Sequence, residues 1–149
     1  MRYQREVLVL LLVAAACSEG PIGPADAAPC ADDTGIVSVT VSDAAQPVMA
    51  WDPSCAVAMV LIEEEASDQW LVSTDEALWT DPSAANLIAP PVTYGVVPAG
   101  AEQTGPPATL VPGVTYEVIL YRILPAGSTA TCVQRFEQMC LMAVHAFVR

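Results

Sequence analysis

Residues 110–123 read LVPGVTYEVILYRI, and the fold follows from how this stretch is read. Pro112-Gly113 cannot continue a regular element and sets a turn. The residues after it, on to Ile123, are dominated by β-branched, aromatic and aliphatic side chains, the composition of a strand. In an extended chain successive side chains alternate, so Tyr116, Val118 and Leu120 share one face and Ile119, Tyr121 and Ile123 the other. The first row faces a core. The second is either a partner-binding face or is covered by the chain itself, through the proline-rich 82–108 segment or the apolar Leu141–Val148 run.

Upstream, period-two patterning recurs. Val37, Val39 and Val41 alternate with Ser38, Thr40 and Ser42, as in a half-buried strand. After the AAQP turn, Val48–Trp51 forms a short strand closed by Asp52-Pro53-Ser54. Val57–Glu65 is apolar without alternation until its glutamates, which predicts a central strand covered on both faces, with Gln69–Ser73 as its partner. Ser73 and Glu76 have the spacing of a capping box for one helical turn, and Pro82, Pro90 and Pro91 limit anything longer. Val92–Val97 and Thr131–Gln138 give two more strands, and the PAGAEQTGPPA loop leads into the opening stretch. About seven short strands with Gly/Pro turns and no long amphipathic helix predict an all-β, antiparallel sandwich of the immunoglobulin-like type. No internal repeat is present.

The 110–123 stretch resembles the end of a fibronectin type III domain. Leu110, the Pro112-Gly113 turn and Tyr116 stand where that family has a leucine, a turn and the tyrosine of its tyrosine corner. The resemblance implies that Tyr116 packs its ring inward and bonds backbone near Leu110–Pro112 through its hydroxyl. Trp51 matches the family's core tryptophan. The likeness spans roughly Thr34–Gln138. Pro106 and Pro107 lie where strand E normally leads into the corner, so strand E is expected at Val92–Val97, and CLMAVHAFVR continues past the family's usual end.

The opposite end of the chain carries a different signal. Arg2 and Arg5 precede the apolar Val7–Val13, then Ala14, Ala15, Ala16 and Cys17. Such a run is too short for a bilayer core, which takes ~20 helical residues, and it has the order of a secretory signal. Ala14-Ala15-Ala16-Cys17 resembles the bacterial lipobox, in which the cysteine thiol is alkylated by a lipid. Ser18 in the next position implies outer-membrane sorting. The alternative is an ordinary signal peptide cut at an A-x-A site. The linker after Cys17, rich in Pro, Gly and Ala, is a flexible tether of roughly 20 Å reach. The expected organisation is a signal peptide at 1–16, a lipidated cysteine and linker at 17–31, the sandwich at 32–138 and an apolar tail at 139–149.

Four further cysteines, Cys30, Cys55, Cys132 and Cys140, invite disulfides in an exported chain. In a sandwich of this type the start of strand A, the B–C loop and the F–G loop share one pole, which collects Cys30, Cys55 and Cys132. Cys140, eight residues on in an extended strand, would lie roughly 25 Å from Cys132. Cys30–Cys55 is the favoured pair, Cys55–Cys132 the next, and free buried thiols the alternative.

Composition narrows function. The chain has 17 carboxylates, five arginines and no lysine, for a net charge of −12, a balance that repels phosphate backbones and anionic headgroups. No nucleic acid partner is expected. His145 is the only histidine, no serine sits in a nucleophile-elbow pattern, and no cysteine spacing suits zinc. Glu63, Glu64 and Glu65 alternate in direction and cannot converge. Asp32-Asp33 and Asp75-Glu76 lack the spacing of a calcium loop. No enzyme activity, metal or cofactor is expected. The sequence points to a lipid-anchored, outer-membrane protein of a bacterial envelope that binds an envelope protein or surface ligand. The alternatives are an accessory subunit of an envelope complex and, more distantly, a secreted hydrolase.

Overall fold

The computed structural model describes residues 27–31, 34–128, 134–136 and 138–149. Among these residues nine strands form two antiparallel sheets that face each other as a sandwich. β1 (Ser38–Val41), β2 (Val48–Asp52) and β5 (Val92–Thr93) make a three-stranded sheet in the order β1-β2-β5. The second sheet has the order β6-β4-β3-β7-β9-β8, with β3 (Met59–Glu64), β4 (Ser67–Ser73), β6 (Glu102–Gln103), β7 (Thr115–Ile123), β8 (Gln134–Phe136) and β9 (Met139–Val148). The two strands beyond the expected seven are β6, in the PAGAEQTGPPA loop, and β9, in the apolar tail.

The core between the sheets is built by the alternation seen in the sequence. Val39 and Trp51, directly opposed across β1 and β2, meet Val60 and Ile62 of β3, Trp70 and Val72 of β4, and Tyr116, Val118 and Leu120 of β7. Full burial of each large side chain there contributes about 1.5–3 kcal/mol. Trp51 also places its indole N–H on the Cys55 carbonyl at 2.7 Å.

The corner forms as the resemblance implies. The Tyr116 hydroxyl accepts the Val111 N–H at 2.8 Å, with Leu110 buried beside it and Pro112 exposed on the turn. Gly113 holds φ at +83°, a left-handed conformation that a side chain disfavours. The strand expected at Val92–Val97 is present as the shorter β5, paired to β2 through Met49↔Val92.

Three expectations are corrected. The apolar 139–149 tail is not a tail: β9 runs along the whole of β7, from Thr115↔Val148 to Ile123↔Met139. Its pattern is broken by a bulge at Met142, which leaves both Met142 and Ala143 in the interior cluster. β8 pairs back antiparallel on β9, with Gln134 opposite Cys140, so the single extended strand assumed in placing Cys140 far from Cys132 is not present; Cys132 itself lies outside the described residues. The helical turn expected after Ser73, a 3-10 turn at Glu76–Leu78, is capped by Asp75 rather than Ser73, its carboxylate accepting from Ala77 N–H at 2.9 Å.

Candidate binding groove at the disulfide pole

A concave feature lies at the pole where the N-terminal segment joins the sandwich. Cys30 N–H donates to Ala56 C=O at 3.0 Å and Ala56 N–H to Ala28 C=O at 2.9 Å. The Cys30–Cys55 disulfide fixes this contact covalently. Inside it lies Arg122, buried at the end of β7, whose guanidinium donates to the carbonyls of Cys30 and Ala31. A cation here satisfies carbonyls that would otherwise lose water on burial.

The second wall is α1 (Pro82–Ala85). Asp81 caps it, accepting from the Ser83 N–H at 3.0 Å and the Ser83 hydroxyl at 2.6 Å. Proline at the first helical position, where no N–H is needed, starts the turn. Behind the helix, Asn86 is buried and pairs with Ile123 as a strand would: its side-chain amide donates to Ile123 C=O at 2.9 Å and its carbonyl accepts from Ile123 N–H at 2.9 Å. Thr74 ties the helix end down by donating to Ala85 C=O at 2.6 Å. Val57 and Ile88 exchange backbone bonds of 2.9 Å in both directions.

Between these walls is an open cleft of about 360 Å³, lined chiefly by Pro29, Pro82, Pro125, Asp81, Ser83 and Asn86. Among the described residues Asp81 is its one carboxylate, and the Ser83 hydrogen bonds hold that group below its usual value of 3.8. Engaged in capping, Asp81 is poorly placed as a general base. What the cleft offers is shape and a rim of prolines with a few polar groups, the equipment of a binding groove.

This segment also closes the second row of β7. Ile119, Tyr121 and Ile123, which the sequence offers as a partner face, are 3%, 1% and 1% exposed. They form a cluster with Ala58, Met59, Leu61 and Met139, covered by Ala85 and Trp79. They are therefore not a docking surface; only Ile123 reaches the groove wall.

The other sequence-derived residues are dispersed. Cys17, Cys132 and the Asp32-Asp33 pair lie outside the described residues. Cys140 is disulfide-bonded. His145 sits half-buried on β9 opposite Val118. Glu63 faces Asp68 and Glu117 across its two neighbouring strands. Among the described residues no group of three or more His, Cys, Asp or Glu side chains is arranged to hold a metal, and no helix is long and apolar enough to cross a membrane. The groove itself has one sequence signal, the Asp81-Pro82-Ser83 helix start. Comparison with protein-family models, curated proteins and solved structures returns no match.

Proposed function

We propose that this is a lipid-anchored cell-envelope protein whose single β-sandwich, similar to a fibronectin type III domain, serves as a non-catalytic binding or adhesion module. The observation that carries the reading is the Cys30–Cys55 bond, which staples the end of the N-terminal segment to the sandwich. Disulfides persist in exported proteins, and export is what the Arg2–Cys17 signal provides. Cysteine arithmetic agrees. Alkylation of Cys17 leaves four thiols, two of which form that bridge while Cys140 is bridged as well; Cys132 is then the thiol available to Cys140. The tyrosine corner supports the type III likeness, and the groove at the tethered pole is a concave surface open to a ligand.

The burial of the Ile119 row favours a second reading, an accessory subunit of an outer-membrane or periplasmic complex, because it withdraws the largest apolar face from solvent. Copurification with one fixed membrane partner would distinguish it from a ligand-binding module.

The first test is the mass of the mature amino-terminal peptide after expression in a Gram-negative host, with membrane fractionation of wild type and Cys17→Ala. A diacylglyceryl and fatty-acyl mass on Cys17, and release of the variant from the membrane, are expected. An unmodified soluble product from both overturns the anchor.

A further inference from the structure

The six-stranded sheet ends differently on its two sides. β4 is closed along its length: β6 pairs with Val72 and Ser73, Thr104 N–H donates to Leu71 C=O at 3.1 Å, and Ala108 N–H to Gln69 C=O at 2.9 Å. On the other side β8 pairs only with Met139 and Cys140, and Val37 N–H reaches the Met142 carbonyl at 3.0 Å. From Ala143 to Val148 no strand among the described residues is hydrogen-bonded to this outer edge of β9, although β1 of the facing sheet packs close to β9.

The register fixes where the backbone groups of this edge point. Arg149 N–H donates to Val114 C=O, and Arg149 C=O accepts from Gly113 N–H, so Arg149 faces β7. Pairing continues unbroken from Thr115↔Val148 to Leu120↔Ala143. By alternation Phe147, His145 and Ala143 also face β7, and Val144, Ala146 and Val148 direct their N–H and C=O groups outward. Met142, of the same parity, already uses its carbonyl on that side. Val144 and Val148 are 50% and 63% exposed, and Ala146 is exposed between them.

The geometry points to a second copy of this chain as the occupant, with β9 pairing edge to edge and antiparallel to β9 of that copy about a two-fold axis at Ala146. The pattern is its own complement. Such pairing sets Val144 of each copy against Val148 of the other, and places the small Ala146 side chains together on the axis. The devices that normally protect an edge, charges and prolines, are missing from Ala143–Val148. Charge favours a like partner here and a basic one elsewhere. The strip holds no carboxylate in a chain of net charge −12. Glu117, opposite Ala146 on β7, would lie three strand spacings, about 14 Å, from its counterpart, beyond the ~8 Å screening length of physiological salt. The contact is smaller than the ~1,200 Å² of stable interfaces, so the pair is weak in dilute solution and gains from copies concentrated on one surface. The pairing itself does not require the lipid anchor.

Sedimentation equilibrium of the purified full chain carrying Cys17→Ala, up to about 100 µM (weak-affinity range), tests this. The expected result is a concentration-dependent approach to twice the chain mass. Ala146→Lys should return the monomer mass while Ala146→Ser keeps the dimer, and Val148→Lys repeats the test should the first variant not fold. A monomer throughout overturns the proposal, leaving the edge to a strand of another sequence. A dimer that survives both lysine variants overturns it as well, since the contact must then lie elsewhere.

Discussion

The two faces of β7 are both buried, but by different means. Tyr116, Val118 and Leu120 meet the three-stranded sheet, whose own strands alternate in step with them. Ile119, Tyr121 and Ile123 meet the irregular stretch from Thr74 to Ile88, which has one helical turn at either side of Trp79. A sheet covers a face through a repeating pattern, every second residue contributing. The irregular cover relies on a few polar side chains, Thr74, Trp79 and Asn86, each bonded to backbone it would otherwise leave unpaired. One face is held by many equivalent contacts, the other by a small set of particular ones.

Three measurements would break or sharpen that contrast. The largest effect is expected from Leu120→Ala on the sheet-covered face, about 3 kcal/mol by urea denaturation, the usual result of emptying a packed core site. Asn86→Ala should cost less, about 2 kcal/mol, because Ile123 loses both side-chain hydrogen bonds. It should also increase binding of an apolar dye as the Ile119 row becomes accessible. A cost below about 0.5 kcal/mol (the range of surface substitutions) would mean that apolar packing alone holds the cover, and the contrast would fail.

The smallest effect is confined to alkaline pH. Tyr94 packs against Trp70 with ring centroids 5.3 Å apart and donates its hydroxyl to Ala108 C=O at 2.7 Å. Burial, reinforced by neighbouring Tyr116, pushes its phenol from 10.0 up to about 12. The unfolded chain loses this proton first, so the associated stability is complete below pH 10 and declines as pH rises toward 12. Ultraviolet titration should show a late-ionising tyrosine that Tyr94→Phe removes. Ionisation of every tyrosine together near 10 would show that the sheet-covered side admits solvent as readily as the other.

The sheet-covered face was legible because its signal is local. Val39, Trp51 and Tyr116 carry their burial in their spacing, and the turn before Tyr116 carries the corner. Cys30–Cys55 followed from the shared pole of a sandwich. β9 was not legible. Its bulge at Met142 inserts one residue and reverses the alternation midway, so MCLMAVHAFV reads as an unpatterned apolar tail. The cover over Ile119 was hidden for another reason. Pro82 limits a helix approached from upstream but starts one when Asp81 caps it, and the pairing of Asn86 with Ile123 spans 37 positions that no local pattern connects. The groove inherits that difficulty, since it exists only once this segment has folded back.

The staple at the pole also has a mechanical consequence. If the chain is pulled at points before Cys30 and after Cys55, tension passes from Cys30 to Cys55 through sulfur and bypasses the β1–β2 hairpin. The 25 positions between those cysteines remain a closed loop, withholding about 85 Å of contour at ~3.4 Å per residue. Breaking that bridge would release the slack and lengthen the fully extended molecule, and a reductant would at the same time open the disulfide of Cys140 on β9.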